Sequence, residues 1–200
     1  MTPYDYGLLA QEAYTSKPDI GVEDSASRAI VRQTAAGLVV AFPGTNNIPC
    51  WVADLDGMTT FVSGAGELHK GFWDAWQAIA PAVKAAVAGR PVTFVGHSLG
   101  AAIAQMAALD FVIAGTPPRA VYGFEPPRIC TTAAARAALS HVPVYLYHNG
   151  KDLVPEVPIG FQHGAYPEDI GTPCWPIPNI SDHMMARVLK ALPGYANAQH

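Results

Sequence analysis

The chain has 200 residues, half of them hydrophobic and only 14% charged, with a formal net charge of −4. No Lys/Arg cluster occurs anywhere, which argues against a nucleic-acid partner, and the length fits a single domain, 1–200, able to bury roughly 70% of its unfolded surface. Three cysteines without C-x-x-C make no disulfide framework, and seven histidines without H-x-H or H-E-x-x-H spacing give no metal signature.

From the N-terminus, "YDYGLLAQEAYTS" reads as a helix, and Asp5 and Glu12 interrupt any apolar run that a signal peptide would need. Residues 28–33 and 37–44 read as strands joined by a short turn at Ala35, Ala36 and Gly37, and a loop with little pattern follows to about Glu67. Residues 71–89 predict a helix with Phe72, Ala75, Trp76, Ile79 and Val83 at helical spacing, bent or divided by Pro81. Val92 to Val95 form a short buried strand. The run 99–115 then predicts a helix ended by Gly115 and Pro117. That longest apolar stretch carries Gln105 and Asp110 and is too short to span a bilayer, so a soluble chain is expected. Residues 120–127 and 143–149 predict two more buried strands with a helix over 132–140 between them. A last helix runs from a cap at Ser181 or Asp182 to Pro193-Gly194.

Strands alternating with helices predict an α/β fold, a mostly parallel sheet flanked by helices on both faces. Sites in such sheets lie beyond the C-terminal ends of strands. That rule selects Ser98, the loop after residue 42 and the loop after residue 148.

Ser98 stands between Gly96 and Gly100 in G-x-S-x-G, after a strand and before a helix. Strand, tight turn and helix make the geometry of a nucleophile elbow, with helix N–H groups aimed where negative charge would form. Such a serine needs an acid, a base and a second oxyanion donor. Asp152 in "NGKDLVPEVP" sits just past a strand end, where a carboxylate can orient an imidazole. An aspartate that merely solvates its turn would have the same sequence context. In the chain order serine, acid, histidine, the base is His163, His183 or His200. His183 lies opposite the stripe of Met185, Val188, Leu189 and Leu192, at the first turn of the last helix, facing solvent or a cleft. His163 sits in a hairpin-like segment and is the second choice, while His200 is terminal. "AFPGTNN" brings the N–H of Thr45 into play beside that of Leu99 as the oxyanion pair, although an ordinary strand-to-loop turn is equally compatible.

With these residues collected, the chain resembles the class 3 lipases, the family of the filamentous-fungal triacylglycerol lipases. "VVAFPGTNNIPCWVADLD" is similar to the family's strand, oxyanion loop and lid hinge, with W-x-x-D-L at Trp51, Asp54 and Leu55. "LHKGFWDAW" is similar to its H-x-G-F helix start, "VTFVGHSLGAAIA" to its nucleophile segment, and "VYGFEPPRI" to its F-G-x-P-R strand end with the order slightly shifted. "NGKDLVPEVP" resembles its D-x-V-P acid loop, "GFQHGAYPEDI" its late hairpin and "SDHMM" its D-H histidine. The motifs run in order from about residue 28 to 190.

The resemblance implies an α/β-hydrolase-type fold and a serine carboxylic-ester hydrolase that works through an acyl-enzyme, without a cofactor. It implies Ser98 as nucleophile, Asp152 as acid, His183 as base, Thr45 and Leu99 as oxyanion hole, His97 as the variable elbow residue and His69 as structural. Its implied partner is a small-molecule ester or lipid, short- to medium-chain esters or acylglycerols, with transient contact at a lipid interface. An amidase or peptidase, a feruloyl-type esterase, a phospholipase, or an inactive binding protein on the same scaffold are the alternatives. The chain departs from the pattern in reading Phe42-Pro43-Gly44 for F-R-G and Ala101 for the second glycine after the elbow. Its candidate lid, Asn46–Ala53, holds Pro49 and few large apolar residues.

Overall fold

The computed structural model describes residues 1–45, 47–53, 55 and 57–196. The chain runs through α1 (Pro3–Thr15), β1 (Ile20–Gly21), β2 (Arg28–Thr34), β3 (Gly37–Phe42), α2 (Ile48–Ala53), β4 (Thr59–Val62) and β5 (Gly66–His69). It continues through α3 (Lys70–Gln77), α4 (Ala80–Val87), β6 (Val92–His97), α5 (Leu99–Ile113), β7 (Ala120–Phe124), α6 (Ala134–Leu139), β8 (Val144–Asn149), β9 (Pro167–Ile170) and α7 (Met185–Ala191). Seven strands form one sheet in the order β1-β2-β3-β6-β7-β8-β9, and β4 and β5 form a separate hairpin. Strands β1 to β3 pair antiparallel, and β3 to β9 pair parallel.

Side chains alternate across a strand, so one strand can serve two cores. Leu38, Val40 and Phe42 of β3 join Phe94, Trp76 and Ile103 on one face, while Val39 and Ala41 join Val95, Phe124 and Val188 on the other. Helices α3 to α6 cover the first face, and α1 and α7 cover the second. A parallel sheet wants both faces covered, which explains why its strands read as continuous apolar runs. Helix α5 is buried almost all round, its many alanines letting it lie close to β6 and β7 on one side and α3 on the other. Helix α1 begins on a capping box, with the Thr2 hydroxyl accepting from Asp5 N–H and the Asp5 carboxylate accepting from Thr2 N–H.

Several expectations change. The helix predicted over 71–89 is divided near Pro81, as expected, into α3 and α4, with Pro81 in the first turn of α4, where its missing N–H is harmless. The segment read as featureless holds α2 and the β4–β5 hairpin. The segment read as a late hairpin is not one: Gln162 bridges Cys130, and Pro167–Ile170 joins the sheet as β9, parallel to β8. A strand reading "PEDI" carries no β-forming pattern, and Pro is tolerated there because β9 is an edge strand opening on Pro167. The last helix starts at Met185, and Ser181–His183 forms a 3₁₀ turn ahead of it, so neither Ser181 nor Asp182 caps the helix. Cys50, Cys130 and Cys174 are free thiols. No helix among the described residues is long and apolar enough to cross a membrane.

Candidate active site

Ser98 lies between β6 and α5 with φ 58° and ψ −129°, a backbone that a non-glycine residue adopts only under strain. Two contacts enforce it. Ser98 N–H donates to Phe124 O at 2.9 Å, tying the turn to the end of β7. A Cβ at Gly96 would collide with the carbonyl of Gly100, and a Cβ at Gly100 would collide with that of Phe42, so only glycine fits on either side. Leu99 is the first residue of α5, and N–H groups of a first turn have no partner inside the helix.

Asp152 follows the end of β8, buried, with Oδ1 accepting from Val154 N–H at 3.2 Å. Its Oδ2 lies 2.5 Å from His183 Nδ1, with 2% and 0% of the His183 and Asp152 side chains exposed. A carboxylate only accepts, so Nδ1 carries the hydrogen and Nε2 carries the lone pair. That Nε2 is buried without a hydrogen-bond partner among the described residues, and so is Ser98 Oγ. One atom lacks a donor and the other lacks an acceptor. His183 is therefore buried at 1% exposure in the 3₁₀ turn, not facing solvent from the first turn of the last helix. His183 does line a cleft, but from the 3₁₀ turn and not from the last helix, because helical periodicity does not extend to residue 183.

The loop after β3 presses on the elbow. A Cβ at Gly44 would come within 2.8 Å of both His97 O and Ser98 Cβ. Thr45 follows and lines a cavity of 230 Å³ with Tyr14, Ile48, His97, His183 and Met184. Leu99 lines a second, mostly apolar cavity of 290 Å³ with Trp51, Leu55, His69 and Phe72. A larger one of 440 Å³ lies at the opposite end of β6, against Lys84 and Arg90, away from all of these groups.

A polar scaffold holds the histidine turn. Asp182 accepts from Lys151 N–H, Cys174 N–H and Asn179 Nδ2, and pairs with Arg187 at 3.2 Å. Burial alone would raise its pKa, but Asn179 and the Lys151 and Cys174 amides hold it down to about 2. Asn149 Nδ2 donates to Asp182 O at 2.8 Å. His97 bonds His183 O through Nε2 and the Tyr14 hydroxyl through Nδ1. Burial, then the proximity of His183, push the His97 pKa well below its ordinary value.

The structure thus brings Ser98, Asp152, His183, Thr45 and Leu99 together where β3, β6 and β8 end. His163 is not among them: its carbonyl accepts from Arg136, and burial followed by Arg128 lowers its pKa to about 4. His200 and Asp54 lie outside the described residues, as does Asn46 of the candidate lid. His69 stacks on Phe72 with ring centroids 4.1 Å apart. Sequence reasoning missed Tyr14, Asn149 and Glu125, the last a fully buried acid with φ 50°.

A serine on a strained strand-to-helix turn, at the C-terminal end of the central strand of a mostly parallel sheet covered on both faces, defines the α/β-hydrolase type of fold. Residues 39–161 match the family model described as lipase (class 3). The chain is 31% identical over 161 residues to the secreted mono- and diacylglycerol lipase A of Penicillium cyclopium, covering 72% of this chain and 52% of that one. It is 32% identical over 140 residues to the secreted mono- and diacylglycerol lipase 1 of Fusarium solani, covering 63% and 41%. The chain belongs to the class 3 lipase family. It spans about half the length of these relatives. Among solved structures it is similar in fold to the triacylglyceride lipase of Rhizomucor miehei, with a TM-score of 0.70, 23% identity and 90% of each chain covered. A mutant form of the Penicillium cyclopium MDLA gives a TM-score of 0.70 and 23% identity, covering 90% of this chain and 81% of that one.

Proposed function

We propose that this chain is one catalytic domain that hydrolyses carboxylic esters, with Ser98 as nucleophile, His183 as base and Asp152 as acid. The observation that carries the reading is the buried Asp152–His183 bond, which leaves His183 Nε2 a lone pair while the hydroxyl of Ser98, on its strained turn, has no acceptor among the described residues. Ser98 Oγ attacks the ester carbonyl and its proton passes to His183 Nε2. Asp152 stays ionised and stabilises the imidazolium. The tetrahedral oxyanion is received by the N–H groups of Leu99 and Thr45. His183 returns the proton to the leaving alcohol, and water then hydrolyses the acyl-enzyme by the same steps.

The substrate class we infer is a short- to medium-chain ester or an acylglycerol. The two cavities beside Thr45 and Leu99 are at or below the small end of usual ligand pockets, roughly 300–1,000 Å³, and their walls are mainly apolar. Relatives named mono- and diacylglycerol lipases support the acylglycerol half of the reading. Met184 and Trp175 are exposed large apolar residues on the same chain segment as His183, suited to brief contact with a lipid surface.

The test is the initial rate on p-nitrophenyl esters from acetate to palmitate, with Ser98→Ala as the blank. The expected result is turnover that peaks at one chain length and falls at least about 10⁴-fold in the variant. Equal inertness of both proteins at every length would favour a binding protein on this scaffold.

A further inference from the structure

Strand β7 ends at Phe124, and Glu125 follows with φ 50°, the left-handed region that favours glycine. With the strand ending at Phe124, the shifted match to F-G-x-P-R is corrected: Phe124, Pro127 and Arg128 fall in order, and Glu125 stands where that pattern has glycine. A large, polar side chain therefore occupies a position whose backbone opposes it. Glu125 N–H donates to Tyr147 O at 2.8 Å, which pins the residue at the strand end beside β8.

The carboxyl group is fully buried. Oε1 accepts from Asn149 N–H at 2.7 Å, and Oε2 finds no N–H or O–H donor among the described residues. One carboxyl oxygen of Glu125, one of Asp152 and one ring nitrogen of His183 all lie within 4.8 Å of one another. The titratable groups that face Glu125 are Asp152 from the loop after β8 and Asp182 from the 3₁₀ turn, with His183 and the buried His97 and His148 around the same edge. Two carboxylates packed together in a dry site repel, so one of them holds a proton. Asp152 already receives His183 Nδ1–H and Val154 N–H, both of which favour its anion. Glu125 receives a single N–H. Burial, then Asp152, push the Glu125 pKa well above the usual carboxylate range.

We propose that Glu125 is a positioning residue of the triad, a neutral carboxylic acid whose O–H donates to Asp152 and holds that carboxylate in line with His183. The proposal rests on the triad reading above and deepens it. During turnover no proton passes between the two acids: the Ser98 proton goes to His183 Nε2 and then to the leaving alcohol, while Asp152 stays an anion and Glu125 stays protonated. The hydrogen bond satisfies an Asp152 lone pair and the Glu125 hydroxyl together, in a site where water does not reach either. It also gives the strained glutamate a task that glycine, which would fit there without strain, could not perform.

Three variants and one spectrum test it. In Glu125→Gln the amide donates permanently to Asp152 and its carbonyl still accepts from Asn149 N–H. In Glu125→Gly the backbone relaxes, but both the donor to Asp152 and the acceptor of Asn149 N–H are lost. Expected are a kcat within about threefold of wild type for E125Q and a kcat about ten- to a hundredfold lower for E125G with KM nearly unchanged, the scale of losing a group that orients a working side chain. The infrared difference between wild type and E125Q at neutral pH should show a carboxylic-acid carbonyl band. A difference spectrum with carboxylate bands only, or an E125G enzyme with wild-type kcat, overturns the proposal. Ser98→Ala separates the two readings. If that variant matches wild type, the triad reading fails, while the spectrum, which needs no turnover, still decides where the proton sits.

Discussion

His97 Nε2 lies 2.9 Å from the carbonyl oxygen of His183, so the residue preceding Ser98 holds the backbone of the histidine proposed as its base. A carbonyl only accepts, which puts the hydrogen of His97 on Nε2 and leaves Nδ1 to accept from the Tyr14 hydroxyl at 2.6 Å. Helix α1, the elbow and the histidine turn are thereby one hydrogen-bonded unit, although they come from residues 14, 97 and 183. The alignment of the proposed triad does not rest on the Asp152–His183 bond alone.

Removing the outer member should weaken the unit without breaking it. Tyr14→Phe leaves His97 Nδ1 buried without a donor and should cost about 1–3 kcal/mol in urea unfolding, with kcat within a few-fold of wild type. His97 also makes stability depend on pH. Its folded pKa is depressed, so below about pH 6.5 the unfolded chain takes a proton that the folded chain refuses, and stability falls as pH falls. His163, at about 4, acts in the same direction. His97→Asn, which does not titrate, should show a shallower loss of urea midpoint between about pH 7 and 5. Equal slopes in the two proteins would mean that His97 is charged in the native state.

Asp182 should be the stability hinge of the histidine turn. It gathers amides from Lys151, Cys174 and Asn179 on one buried carboxylate. Asp182→Ala strands those donors, and a loss of about 3 kcal/mol is expected near neutral pH. The folded pKa near 2 lies below the unfolded value, so this stabilisation is present above about pH 4 and disappears as pH falls through 2. Thermal unfolding of wild type and variant should therefore converge toward pH 2. A gap that stays constant with pH would mean that the charge contributes nothing.

How much of this was legible in the sequence varies with the physics of each residue. Ser98, Asp152 and Thr45 follow strands whose apolar runs mark their own ends, so the rule that sites lie beyond strand ends reached them. Glu125 obeys the same rule, but the predicted strand was carried through to Pro127, which hid a loop residue inside it. The true end is set by the positive φ of Glu125 and by Ser98 N–H taking Phe124 O, neither of which has a sequence signal. His183 was reached by chain order and faces a cleft as expected, but it was placed in the last helix, because a 3₁₀ turn carries no 3.6-residue periodicity of its own. The link from Tyr14 to His97 joins positions 83 residues apart and could not be read from local pattern at all.

Asp152→Asn tests the tautomer argument directly. The amide is nearly isosteric, so the fold should hold. Its NH₂ facing His183 Nδ1 would favour a hydrogen on Nε2, the nitrogen that must accept the Ser98 proton. A fall of about 10⁴-fold in kcat, with KM little changed, is the expected result on the best p-nitrophenyl ester. A variant within about tenfold of wild type would leave Asp152 a loop-stabilising residue and send the search for the acid to Glu125.

Gly100→Ala probes whether the loop after β3 is seated on the elbow. The added Cβ would collide with Phe42 O and stand 2.7 Å from Pro43 O, and backbone atoms cannot rotate away as a side chain can. The strand end and Thr45 must then move off the turn, with a stability loss of about 3 kcal/mol, at the upper end for overpacking. Displacing one oxyanion donor should lower kcat by about 10²–10³ as well. Gly123→Ala is the control, since its Cβ would meet Leu146 Cδ2 at 2.7 Å, the far end of a side chain that can turn. That variant should lose only about 1 kcal/mol and keep most of its kcat. If G100A unfolds at the wild-type urea concentration and turns over at the wild-type rate, the loop is not pressed on the elbow. Thr45 then has no claim to the oxyanion.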